Sequence, residues 1–208
     1  MVLASLVATV ALGVTLYQAK PPFYDEIQAF VKADRQNPPA KGQILFVGSS
    51  SFRMWESVQK DFPAHKIINR GFGGSSLPDV IRYADQIIFP YEPKQIVIYC
   101  GENDLAADDK PSAYTVVQRF KKLHTIIRRK LKTTPLIYVS IKPSPSRRLL
   151  MSKMRACNRQ IKAFLAKDRH AAFVDVYSKM LDKSGHPREE LFLEDKLHMT
   201  PEGYAIWI

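Results

Sequence analysis

The chain has 208 residues, 46% hydrophobic and 25% charged, which supplies a sizeable core for one domain and excludes a largely disordered polymer. Two cysteines, Cys100 and Cys157, are too few for a disulfide framework or a four-thiolate zinc site. The net charge of +11 is uneven, with 16 basic residues and one acid, Asp168, between Arg119 and Arg169.

That stretch reads as solvated helix faces. An anionic membrane surface is its alternative partner, and nucleic acid is not expected, since neither an aromatic-interleaved RNA motif nor zinc-finger spacing accompanies it.

From Met1 to Ala19 there is no charge and little polarity. As a helix this run would span roughly 28 Å, close to a bilayer's hydrocarbon core. Residues 1–20 are expected to be a membrane anchor or a signal segment. The anchor is favoured, because no basic residue precedes the run and Tyr17-Gln18-Ala19 makes a poor cleavage site. Either reading puts the domain, residues 21–208, on a membrane or outside the cytoplasm.

Tyr24 to Ala33 has Ile27, Phe30 and Val31 at helical spacing, and Ile44 to Val47 is a short apolar run that predicts a buried strand. The alternation then continues. Helices are expected over Met54–Phe62, Leu77–Ile88, Ala113–Leu131 and Leu149–Ala166, and strands over Lys66–Asn69, Gln95–Tyr99, Leu136–Ile141 and Ala172–Val176. Thr200-Pro201 opens a last helix, with Thr as cap and Pro at its first position. The chain stops at Ile208, so that helix is expected to be truncated. Five strands alternating with helices predict an α/β fold with a parallel sheet covered on both faces.

Ligands bind such sheets outside the carboxyl ends of the strands. The segments there are Gly48-Ser49-Ser50-Ser51, Asn69 to Ser75, and Gly101-Glu102-Asn103-Asp104. Asp195-Lys196-Leu197-His198 precedes the last helix. Together they supply a hydroxyl, glycine amides, an amide side chain and an Asp/His pair. A serine hydroxyl needs a base to become a nucleophile, and His198 is such a base. Asp195, three residues earlier, can hold the imidazole in the required tautomer. Glycine amides and the Asn103 side chain are donors for an oxyanion.

At these residues the sequence resembles the SGNH, or GDSL-type, hydrolase family, from about Ile44 to the end. Phe46-Val47-Gly48-Ser49-Ser50 matches the first block. The resemblance makes Ser50 the nucleophile and puts Ser49 where the family usually has Asp. Asn69 to Ser75 resembles the second block, with Gly74 as the oxyanion glycine. Gly101-Glu102-Asn103-Asp104 matches the third, with Asn103 as the oxyanion asparagine, and Asp195-x-x-His198 matches the last. The resemblance implies a three-layer α/β/α sandwich of flavodoxin-like type with a five-stranded parallel sheet. It implies a serine esterase, EC class 3.1, without metal or other cofactor. The triad is Ser50, His198 and Asp195, and the Ser50 amide, Gly74 and Asn103 form the oxyanion hole. Expected substrates are lipid or carbohydrate esters, of lysophospholipase, acyl-esterase or O-acetyl-esterase type.

Each residue also has a plainer reading: Ser50 as a helix cap, Gly71, Gly73 and Gly74 as turn residues, Asn103 and Asp104 as loop caps, Asp195 and His198 as a surface pair. His65, His124, His170 and His186 have no partner motif, and the two cysteines read as core. The rival function is a non-catalytic, membrane-tethered module of the same fold that binds an anionic surface through its basic helices.

Overall fold

In the computed structural model, residues 19–208 are described. They form α1 (Tyr24–Gln36), β1 (Ile44–Gly48), α2 (Ser50–Arg53), α3 (Val58–Asp61), β2 (Ile67–Gly71), α4 (Leu77–Ile87) and β3 (Gln95–Tyr99). There follow α5 (Glu102–Leu105), α6 (Ala113–Lys130), β4 (Leu136–Val139), α7 (Met151–Leu165), β5 (Ala171–Val174) and α8 (Pro201–Ala205). The expected anchor lies almost entirely outside the described residues. Among the described residues, no helix is long and apolar enough to cross a membrane.

Every residue of β1 is buried. A strand without a polar face belongs inside a sheet covered on both sides, and β1 sits there: the order is β2-β1-β3-β4-β5, with every pair parallel. Strand alternation divides the core. Leu45, Val47, Ile96, Ile98, Leu136 and Tyr138 pack with Ile27, Val80, Phe120 and Ile161 of the long helices. Ile44, Phe46, Val97, Tyr99 and Val139 pack on the other face with Phe52, Trp55, Tyr204 and Trp207. The result is a three-layer α/β/α sandwich.

Two helices differ from expectation. Met54–Phe62 is not continuous: α2 begins at Ser50, and a turn separates it from α3. The turn delivers Trp55 to the aromatic core, stacked on Tyr204 with centroids 4.9 Å apart, while its indole N–H donates to Asp61 at 2.6 Å. Burial of that side chain outweighs the propensity of a short helix. Likewise, Leu149–Ala166 starts late. Pro145–Leu150 is a 3₁₀ stretch broken at Arg147 (φ −114°, ψ 27°), and α7 follows from Met151. Thr200 caps α8 as expected, its hydroxyl accepting from the Gly203 amide at 3.3 Å.

Near the amino end of β5, Asp168 ties α6 to the loop entering that strand. It accepts from Arg128 Nε at 2.7 Å, from His124 Nε2 at 2.8 Å and from the His170 amide at 2.9 Å. Burial pushes the carboxyl up, but the bonds from Arg128, His170 and His124 outweigh it and hold the pKa at about 2. A depressed pKa gives stability that is complete above the unfolded-state value and is lost as pH falls through the folded one. Asp168→Asn is therefore expected to cost about 2 kcal/mol at pH 7 and to converge on the parent protein near pH 2. Urea unfolding at the two pH values measures this, and an equal cost at both would contradict the assignment.

Candidate active site

The site begins where β1 ends. Gly48 has φ 144°, and a Cβ there would lie 1.9 Å from the Tyr99 carbonyl oxygen, so no other residue lets β1 leave the sheet so close to β3. The Ser49 amide donates to that carbonyl at 3.0 Å. Ser49 is only 2% exposed and Ser51 3%, which leaves Ser50 as the half-buried serine of the three. Ser50 is not the helix cap of the plainer reading: Ser49 holds the N-cap position of α2, without a capping bond from its side chain, and Ser50 is the first helical residue.

His198 reaches this serine from the far end of the chain. Its Nε2 lies 3.0 Å from Ser50 Oγ, and its Nδ1 lies 2.5 Å from Asp195 Oδ2. Asp195 Oδ1 accepts from the Leu197 and His198 amides, both at 2.9 Å, so each carboxylate oxygen has its own task. Lys196 between them takes a left-handed φ of 56°, which closes the turn. Although burial acts upward on the Asp195 carboxyl, the His198 ring and the two amides outweigh it and hold the pKa at about 2. Asp195 is thus an anion at neutral pH.

The second and third segments meet opposite. Gly73 (φ 32°) lies so close to the Phe23 ring that a Cβ would be 2.3 Å from it, and its amide donates to Glu26 at 2.9 Å. This contact with the start of α1 fixes the loop that carries Gly74. A Cβ on Gly74 would lie 3.8 Å from Asn103 Nδ2, so the two are side by side. Asn103 Nδ2 donates to the Ser75 carbonyl at 3.0 Å. Among the described residues, the Ser50 and Gly74 amides have no acceptor. Asp104 is elsewhere: fully buried, it accepts from the Leu77 amide at 2.9 Å and from Arg119 at 3.0 Å, joining α4 to α6.

Three residues of this neighbourhood escaped the reading of the sequence. Glu102, 4% exposed, accepts from Lys142 Nζ at 2.5 Å and from the Tyr99 hydroxyl at 2.5 Å. Burial would raise its carboxyl, but Lys142 and Arg147 outweigh burial and hold it below the usual carboxylate range. Arg147 lies beside it and donates to Asn103 Oδ1 at 2.9 Å. The available signal was Lys142, a charge just past an apolar strand at the sheet's carboxyl end. The cysteines are core, and burial raises both thiols, that of Cys157 to about 12. His124 is taken up by Asp168.

A model of the GDSL-like Lipase/Acylhydrolase family matches residues 42–206. The chain belongs to this family. It is an ester-hydrolysing enzyme. No curated protein matches this GDSL-like hydrolase in sequence. Solved structures share its fold. One, from Streptococcus pneumonia and assigned as a platelet activating factor, has TM-score 0.76 and 20% identity over 88% of this chain and 87% of the other. A Bacteroides fragilis protein assigned as an acylhydrolase has TM-score 0.76 and 20% identity, over 88% and 92%. A GDSL-like lipase from Bacteroides thetaiotaomicron has TM-score 0.72 and 21% identity, over 87% and 92%. The sandwich described above is that of these proteins.

Proposed function

We propose that this GDSL-like hydrolase cleaves carboxylic esters through Ser50, His198 and Asp195. The observation that carries the reading is the unbroken line from Ser50 Oγ to His198 Nε2 at 3.0 Å and from Nδ1 to Asp195 at 2.5 Å. His198 takes the serine proton as Oγ attacks the acyl carbon, then gives it to the departing alcohol. Asp195 keeps the Nδ1–H tautomer, so that Nε2 is free to accept, and stabilises the imidazolium. Water repeats the sequence on the acyl-enzyme. The oxyanion of each tetrahedral intermediate is met by the Ser50 and Gly74 amides and by Asn103 Nδ2. Among the described residues neither of those two amides has an acceptor, which supports that assignment.

The substrates proposed are acyl esters of the lysophospholipid kind and O-acetyl esters of sugars. Comparing rates on p-nitrophenyl acetate, a lysophospholipid and an acetylated sugar distinguishes the two kinds, and failure on all three overturns the esterase reading.

Asn103 gives a sharper test. Its donor acts mainly on charge that develops in the transition state, so Asn103→Ala is expected to lower kcat about 10²–10³-fold and to leave KM nearly unchanged. A loop cap would instead cost about 1 kcal/mol of stability and spare kcat. Measuring kcat and Tm on one preparation separates them, and an undiminished kcat removes Asn103 from the oxyanion hole.

A further inference from the structure

An asparagine amide can flip end for end, and only one of its two orientations offers a donor to an oxyanion. In this structure both ends of the Asn103 amide are engaged. Nδ2 donates to the Ser75 carbonyl at 3.0 Å, and Oδ1 accepts from Arg147 Nη2 at 2.9 Å. Flipping the amide would set its NH₂ against the guanidinium and its oxygen against a carbonyl, so two attractive contacts would become two repulsive ones. One N–H is spent on Ser75, the other has no acceptor among the described residues, and a Cβ on neighbouring Gly74 would lie 3.8 Å from this nitrogen.

Arg147 is itself held. Its Nη1 lies 3.5 Å from Glu102 Oε1, a charge contact without a good hydrogen bond, and among the described residues that buried nitrogen has no other partner. Glu102 is anchored by Lys142, Tyr99 and the Ser144 hydroxyl, the last at 3.3 Å. The break in the 3₁₀ stretch occurs at Arg147, and next to it the Ser146 amide donates to the Lys196 carbonyl at 3.0 Å. The segment carrying Arg147 is therefore fastened both to the buried Glu102–Lys142 pair and to the turn that bears Asp195 and His198.

We infer that Arg147 is a positioning residue for ester hydrolysis: it locks the Asn103 amide in the donor-forward orientation and polarises it through Oδ1. The inference rests on the oxyanion role proposed for Asn103. The guanidinium withdraws electron density from the amide oxygen, which makes the opposite N–H a stronger donor at the moment negative charge appears. It needs no contact with substrate.

The test is a double-mutant cycle with p-nitrophenyl acetate as probe, using Arg147→Ala, Asn103→Ala and the two combined, with Arg147→Lys alongside. Arg147→Ala is expected to lower kcat about 10²-fold, the scale of a misplaced catalytic group, with little change in KM. In the Asn103→Ala background the same change should cost almost nothing further, because no amide is left to orient. Arg147→Lys keeps a positive charge beside Glu102. It should hold Tm near the parent value and still lose most of kcat, since a point charge cannot serve Glu102 and Asn103 as a planar fork does. That variant decides the matter if Arg147→Ala does not fold. A purely structural Arg147 would give losses that add in the cycle, or an Arg147→Lys protein with parental Tm and parental kcat, and either result overturns the inference. If Asn103→Ala is damaging and these results follow, the oxyanion reading stands and only Arg147 falls. If Asn103→Ala is itself harmless, both fall together.

Discussion

Ser50→Ala should abolish ester hydrolysis, with a loss on the order of 10⁶-fold in kcat, as expected when the nucleophile of a triad is removed. The loss would be chemical. Ser50 is half-buried at the first position of α2, where alanine is well tolerated, and the substitution removes only the contact to His198. Ser49→Ala and Ser51→Ala should keep substantial activity, because both residues are buried and the His198 ring bonds to Ser50 instead. A fluorophosphonate should label the parent protein and leave Ser50→Ala unlabelled, a readout that does not depend on knowing the natural ester. An active, labelled Ser50→Ala protein would overturn the triad and shift the search to its neighbours in the Gly48-Ser49-Ser50-Ser51 turn.

Asp195→Asn should be the second most damaging change, for a reason specific to this turn. Asp195 Oδ1 accepts two backbone N–H groups, from Leu197 and His198. In the asparagine variant the amide oxygen must stay there, since an NH₂ group cannot accept them. The NH₂ then faces His198 Nδ1, which must give up its proton to accept a bond. The imidazole is forced into the tautomer protonated on Nε2, which cannot take the proton from Ser50. A buried aspartate changed in this way costs about 10⁴-fold in kcat. The Asp195 side chain is 47% exposed, so part of its charge effect is already screened, and about 10³-fold is expected here. Steady-state kinetics with a check of Tm measures it. A loss of less than tenfold would show that His198 keeps its tautomer without Asp195.

Much of this was legible because it is local or periodic. The apolar run of β1, the amphipathic stripes of α6 and α7, the Thr200-Pro201 cap and the Asp195-x-x-His198 spacing each lie within a few turns of chain. Short-range physics acts there before any tertiary contact forms. Strands alternating with helices then bring the segments after β1, β2 and β3 to one edge of a parallel sheet, so the Gly48–Ser51, Asn69–Ser75 and Gly101–Asp104 segments could be grouped from the sequence. The family resemblance singled out Ser50, Gly74 and Asn103 within them.

Where tertiary burial competed with local preference, the sequence was a poorer guide. Met54–Phe62 carries a helical pattern, yet the chain turns at Trp55 to bury the indole against Phe46 and Tyr204. The start of α7 moved for a comparable reason, as Arg147 leaves the helical path and reaches Glu102 and Asn103.

By itself the sequence determined the parallel α/β architecture, the carboxyl edge as the place of chemistry, and a serine, an asparagine and an Asp/His pair as its parts. Only the tertiary structure decided which serine of three faces His198, and that Glu102, Lys142 and Arg147 converge beneath Asn103. Ser50 and His198 are 148 positions apart, Glu102 and Lys142 are 40, and Asn103 and Arg147 are 44. Contacts of that span leave no period or spacing in the chain. They arise only when β1, β3 and β4 align in register and their carboxyl ends share one edge, where the low dielectric of the interior makes each charge seek a partner.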